Sequence, residues 1–341
     1  MKHLSHLSIH QKAQGKQRNR LIWLVTTTLL LSSCFKASDD GLPEVLSNTE
    51  AKPITVIASI KPLALIAQDI VGDTGVVDVL VPPTSSPHDY AMKMSDAQKL
   101  SKADKVIWFG AELEQFLSKQ IKGIESKQVI TISDALNHNV RDQGDRGHAE
   151  VGSNHPEHSE DSEHPDLHLW LSPIKAQQIA EVIGQTLIAD QKALGNSQTA
   201  KNLESNLKQT LTNYDLLSNQ LKTLFEPVQQ IGFVVYHKAY GHLIEQYHLN
   251  QVGYISAHPE IPVGIKHMAE LEKTVVLESK NGSTKCLFVE SAHQSNSAEE
   301  IAKRLHLRVK ALDILGSSTG VSTYKQLMEK IARDMLNCLK S

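Results

Sequence analysis

Cysteine is scarce in this chain. There are three in 341 residues, and no two form a near-neighbour C-x-x-C pair, so nothing supports a metal held by sulfur. An excess of basic charge is also missing. Lys+Arg total 35 against Asp+Glu 38, a formal charge of −3, which excludes a generally basic nucleic-acid binder. Glycine (18) and proline (12) are too few for a collagen-like or largely disordered chain. The apolar run near the start, residues 21–31, falls short of the roughly 20 residues of a membrane-spanning helix. No set of nucleophile, base and orienting group stands out, which leaves an enzymatic reading, such as a metallohydrolase, little to start from. What is present is 40% hydrophobic residues, enough for a sizeable core in one large domain or two. The anomaly is histidine, with 17 residues.

Residues 1–20 hold Lys2, Lys12, Lys16, Arg18 and Arg20 and no acid, and the short apolar run LIWLVTTTLLL comes next. A basic segment before a short apolar core reads as a secretory signal. The run ends in LSSC, and small residues before Cys34 resemble the lipobox of bacterial lipoproteins. Two readings stay open: cleavage before Cys34 with lipid attached to it, or ordinary cleavage near Ala37 with Cys34 lost. Losing the five basic residues of 1–33 takes the charge from −3 to −8. An anionic exported protein is compatible with cationic cargo. Of the remaining cysteines, Cys286 and Cys338 stand 52 positions apart. In an exported chain they form either one bridge or two buried thiols.

The organisation reads as a leader (1–34), a polar tether (35–52) and an N-terminal α/β half (53–172). Linking helices (173–226) and a C-terminal α/β half (227–341) complete it. Strands are expected at 54–60, 76–81, 105–110 and 128–132. In the second half they are expected at 231–236, 249–255, 286–290 and within 307–315. These apolar runs are near-continuous, as in parallel sheets covered by helices on both faces. A short helix is expected near 112–119. Ser172 and Pro173 supply a capping hydroxyl and a proline at the first helical position. Within the first half, residues 137–166 lack periodicity and apolar content and read as a mobile insert. Five histidines, His138, His148, His155, His158 and His164, lie there among Asp and Glu. They are expected to form an auxiliary zinc-collecting loop.

Chemistry gathers at the strand ends, where open α/β sheets bind ligands. His88 comes after a strand through a loop stiffened by Pro82, Pro83 and Pro87. His168 precedes the first linking helix, His237 succeeds the strand IGFVVY, and Asp313 ends VKALD. Three imidazoles and a carboxylate drawn from both halves suit four-coordinate zinc better than calcium or magnesium. Each has a plainer alternative. A histidine at a strand end can be a hydrogen-bonded cleft residue, and Asp313 can cap the GSSTG turn. His258 and Glu290 are candidates for supporting the ligands from behind. His242 and His248 carry no ligand role.

The segments LVPPTSSPHDY (80–90), DLHLWLSP (166–173), VVYHKAYGHL (234–243), AHPEIPVG (257–264), CLFVESAHQ (286–294) and LDILG (312–316) resemble, in order and across nearly the whole mature chain, the zinc-binding solute-binding proteins of bacterial ABC uptake systems. The resemblance implies two (β/α)4-like lobes, each with a mostly parallel sheet, joined by a long rigid helix. Metal would sit in the cleft between them. It implies His88, His168 and His237 as imidazole ligands, Asp313 at the carboxylate position, and a disulfide between Cys286 and Cys338. Manganese-preferring relatives carry a carboxylate where His237 stands. Three departures occur. Pro87 replaces a glutamate that precedes the first histidine in some members. LSP (171–173) replaces LDP. ESAHQ (290–294) is longer than EPQ, which bears on the placement of Glu290.

The expected function is capture of Zn²⁺, as transported cargo, in the periplasm, by a monomer that delivers it to a membrane ABC permease. A lipid anchor on Cys34 goes with the first reading of the leader. A manganese-binding transport protein and a metal-stabilised, adhesin-like surface lipoprotein are the alternatives.

Overall fold

The computed structural model describes residues 52–136, 166–257, 264–279, 284–291 and 296–341. The chain divides into Met1–Thr49 and a compact unit, Glu50–Ser341, which holds both α/β halves. The leader, Cys34, the tether up to residue 51, the five insert histidines and His258 lie outside the described residues.

The first lobe runs β1 (Ile54–Ala58), α1 (Lys61–Val71), β2 (Gly75–Val79), α2 (Met94–Lys102), β3 (Lys105–Trp108), α3 (Ser118–Ile121) and β4 (Val129–Thr131). Two long helices come next, α4 (Pro173–Ala193) and α5 (Ser197–Phe225). The second lobe is β5 (Phe233–His237), α6 (Gly241–Tyr247), β6 (Gln251–Ser256), α7 (Ile265–Ser279), β7 (Cys286–Glu290), α8 (Asn296–Arg304), β8 (Arg308–Leu312) and α9 (Tyr324–Leu339). Each lobe has a four-stranded sheet, ordered β2-β1-β3-β4 and β6-β5-β7-β8. Every strand pair is parallel. The chain leaves β1 toward one neighbour and returns on its other side at β3, and β5 and β7 repeat the pattern. Such reversals open a crevice beyond the carboxyl ends of the strands.

The central strands are apolar along their length because both faces are covered; every residue of β3 and β7 is buried. The edge strand β2 alternates between half-buried and exposed, with Val76 57% exposed. Its run also stops earlier than the sequence suggests. Leu80 and Val81 leave the strand, still bonded to the carbonyls of Ala58 and Ser59 at 2.9 Å.

The link between the lobes is doubled, with α5 returning along α4. Ser172 caps α4 by accepting the Lys175 N–H at 3.2 Å, so the cap survives without the family's aspartate. On α5 the buried positions Ala200, Leu203, Thr210, Tyr214, Leu217, Leu221 and Phe225 recur every three to seven residues and face inward. Gly184 sets how closely the pair approaches. A Cβ there would stand 2.8 Å from a Leu207 methyl. A single apolar core then runs from Val56 and Ile66 through Ile179 and Leu217 to Phe233 and Tyr324. Polar ties cross the lobes as well. The Lys61 ammonium donates to the Gly316 carbonyl at 2.6 Å and the Trp170 indole N–H to the Ile314 carbonyl at 2.9 Å. The Tyr324 hydroxyl donates to the Trp170 carbonyl at 2.8 Å. The Cys286–Cys338 disulfide fastens α9 to β7. Closing a loop of that length contributes about 4 kcal/mol in the chain-entropy model.

The expected helix near 112–119 is replaced by a 3₁₀ turn at Gln115–Leu117 and the short α3. Glu114 is the reason. Its side chain turns inward, accepts the N–H groups of Phe109 (2.7 Å) and Gly110 (3.3 Å) and receives the Ser59 hydroxyl. Burial pushes this carboxyl up from 4.5 to about 7, against those bonds. The folded chain therefore holds a proton that the unfolded chain releases near pH 4.5. Stability from this group is fully present below that pH and is lost as pH rises through 7, about 3 kcal/mol in all. Glu114→Gln removes the titration. Between about pH 4.5 and 7.5, urea melts of metal-free protein should shift in the variant's favour by about that amount relative to wild type. Parallel pH profiles for the two proteins would refute the assignment.

Candidate metal centre

Residues at the carboxyl ends of the strands converge on one crevice. His237 is the last residue of β5, Glu290 the last of β7, and Asp313 comes directly after β8. His88 stands on the proline-bound loop after β2, where its backbone N–H donates to the Ser86 hydroxyl at 3.2 Å. His168 opens the short 3₁₀ turn Leu169–Leu171 that leads into α4. Two histidines thus come from the first lobe and its exit, and one from the second lobe.

His88, His168 and His237 offer one ligand atom each, all within 4.8 Å of one another. Their ring centroids are 5.6, 5.2 and 5.0 Å apart. An ion held tetrahedrally at about 2.0–2.1 Å from each nitrogen sets those nitrogens about 3.4 Å apart. A contraction of little more than about an ångström closes the gap. His168 and His237 are buried, while His88 is partly exposed. The cavity between them has a free volume of about 20 Å³, enough for one water-sized guest. Trp170, Ile314 and Leu315 give it apolar walls.

His168 is fixed from behind. Asp166 accepts both the His168 backbone N–H (3.0 Å) and ring Nδ1 (2.8 Å), which leaves Nε2 for the cavity. Asp166 is itself seated against the second lobe. Its carbonyl meets His242 Nε2 at 2.7 Å, and a Cβ on Gly241 would stand 2.8 Å from its carboxylate. Burial raises the Asp166 carboxyl, but the bonds and charge of His168 outweigh that and hold it below the usual range. Asp166 is the residue behind the candidate site that sequence reasoning missed. The signal was an aspartate two positions before a candidate ligand histidine, the spacing of a side chain that bonds back to the main chain.

Asp313 lines the same cavity but is not one of the three residues whose ligand atoms cluster. It caps the turn after β8. Oδ1 accepts the Ser317 N–H (2.7 Å) and hydroxyl (2.9 Å), and Oδ2 accepts the Ser318 N–H (2.7 Å). Burial raises its carboxyl, and the Ser318 hydroxyl together with these bonds more than offsets it, leaving it below the usual range. Glu290 also lines the cavity, only 3% exposed, with Oε1 3.8 Å from His237 Nδ1. Burial pushes its carboxyl up to about 7.

A family model described as "ZnuA: Zinc-uptake complex component A periplasmic" matches residues 56–338. The chain is 30% identical over 306 residues to the high-affinity zinc uptake system protein ZnuA of Yersinia pestis, covering 84% of this chain and 91% of that one. It is 32% identical over 325 residues to the protein of the same description from Haemophilus influenzae, covering 83% and 92%. Among solved structures, a ZnuA crystal structure superimposes with a TM-score of 0.65 at 24% identity, over 84% of this chain and 99% of that chain. A manganese-bound periplasmic metal-binding protein from Candidatus Liberibacter asiaticus (an S38A mutant) reaches 0.66 at 22% identity, over 84% and 99%. At these identities the two structures speak for the fold alone.

Proposed function

Because the chain belongs to the periplasmic zinc-uptake complex component A family, we propose that it captures Zn²⁺ outside the inner membrane and hands it to the membrane permease of an ABC uptake system. It is a binding protein and not an enzyme. The observation that carries the reading is the meeting of His88, His168 and His237 around one small cavity. Three neutral nitrogen donors favour zinc over the oxygen-seeking magnesium and calcium, and the ordinary affinity order places manganese below zinc.

Asp313 completes the site as fourth ligand in this proposal. Its oxygens already serve the N–H groups and hydroxyls of Ser317 and Ser318, so meeting an ion means giving up one of those bonds, most readily a hydroxyl that can rotate away. The same reading makes residues 1–33 an export leader cleaved before Cys34, which becomes the point of lipid attachment, and intact-mass measurement of the exported protein tests it.

The deciding experiment is elemental analysis of the exported protein with competitive titration of Zn²⁺ against Mn²⁺. One equivalent of zinc, displaced by manganese only at large excess, is the expected result. Equal or stronger manganese binding would overturn it. For the fourth ligand, X-ray absorption at the zinc edge should give three nitrogens and one carboxylate oxygen. Asp313→Asn should weaken zinc binding by about a hundredfold to a thousandfold. An unchanged spectrum and affinity in the variant would assign the fourth position to water.

A further inference from the structure

Three imidazoles bring no charge to a dication, Asp313 as fourth ligand would offset only one of its two charges, and Trp170, Ile314 and Leu315 wall the cavity with apolar groups. An ion held there needs counter-charge close behind its ligands. One such group is already bonded, Asp166 at 2.8 Å from Nδ1 of His168. On the other side of the cavity the same relation recurs at longer range. The Glu290 carboxylate stands at the end of β7, the strand beside β5, and faces Nδ1 of His237 at 3.8 Å. Both side chains are buried there, at 3% exposed for His237 and 5% for Glu290.

We infer that Glu290 is the positioning residue of His237, the second-lobe counterpart of Asp166, selecting the tautomer whose Nε2 faces the ion and supplying counter-charge behind it. The inference rests on the zinc reading above for its ligand. Ligation draws electrons from an imidazole and makes its remaining N–H a stronger donor. Binding of the ion should therefore shorten the His237–Glu290 separation to a hydrogen bond. The site is then held by one carboxylate-backed histidine from each side, with His88 on its loop as the third. Such supporting groups typically carry about ten- to a hundredfold of metal affinity.

The test uses ¹⁵N-histidine-labelled protein, with and without one equivalent of Zn²⁺. In wild type the His237 ring should carry its proton on Nδ1 in the zinc-loaded form. Glu290→Gln should shift the metal-free ring toward the other tautomer and lower zinc affinity by about ten- to a hundredfold in chelator competition. Glu290→Asp should recover part of that loss. A zinc-loaded wild-type His237 protonated on Nε2 would overturn the inference, and so would wild-type affinity and tautomer in Glu290→Gln. A wild type that takes up no zinc would instead sink the transport reading. The metal-free tautomer comparison between wild type and Glu290→Gln would still decide the role of Glu290.

Discussion

His237→Ala should lose zinc affinity on the order of a thousandfold while keeping its fold. Four-ligand zinc sites bind with roughly 10–16 kcal/mol, so one ligand accounts for about 2.5–4 kcal/mol, roughly two to three powers of ten. His237 is 2% exposed, and truncation leaves only a small void beside an existing cavity. The pairing of β5 with β6 and β7 does not use the ring. Phe233 and Val235, the residues of β5 that join the shared core, stay in place. Thermal melting of the metal-free variant should therefore move by only a few degrees. Competition with a calibrated chelator checks the affinity, and a wild-type value would strike His237 from the ligand set.

The second large effect is on pH. Zinc and the proton compete for the same nitrogen lone pair of each ligand imidazole, and the reference pKa of an imidazole is about 6.5. Protons compete for such ligands as pH falls, so zinc binding should weaken by orders of magnitude between about pH 7.5 and 5.5. The fold is not what fails, because Glu114, raised to about 7, adds stability as pH falls across the same range. Circular dichroism at both pH values separates the two. Affinity that stays flat while the spectrum is unchanged would contradict an all-imidazole core to the site.

Much of the architecture could be read from residues because local and global preferences agree in it. Near-continuous apolar runs such as ITVIA and CLFVE have only one comfortable home, a strand covered on both faces. The Ser-Pro start of α4 announces itself by capping chemistry alone. Where tertiary contacts decide, the residues alone were not enough. The segment around Glu114 carries a helical composition, yet the inward turn of one carboxylate breaks it into two short pieces. The three histidines are spread over 88–237, so their spacing says nothing; placement at strand ends and the motif resemblance carried them. The backing of His168 by Asp166, and the use of Asp313 oxygens by the Ser317–Ser318 turn, depend on side-chain directions that no periodicity encodes.

The shared core has a consequence for unloading. Val56, Ile179, Leu217 and Tyr324 belong to one apolar body, so swinging the halves widely apart would wet their contacts at about 25 cal/mol for every Å² uncovered. Gross opening is thus an unfavourable exit route. The partly exposed His88 sits on a short strap outside the sheet, while its two companions are sealed in. His88 is therefore the one of the three whose displacement would uncover the cavity without wetting the shared core.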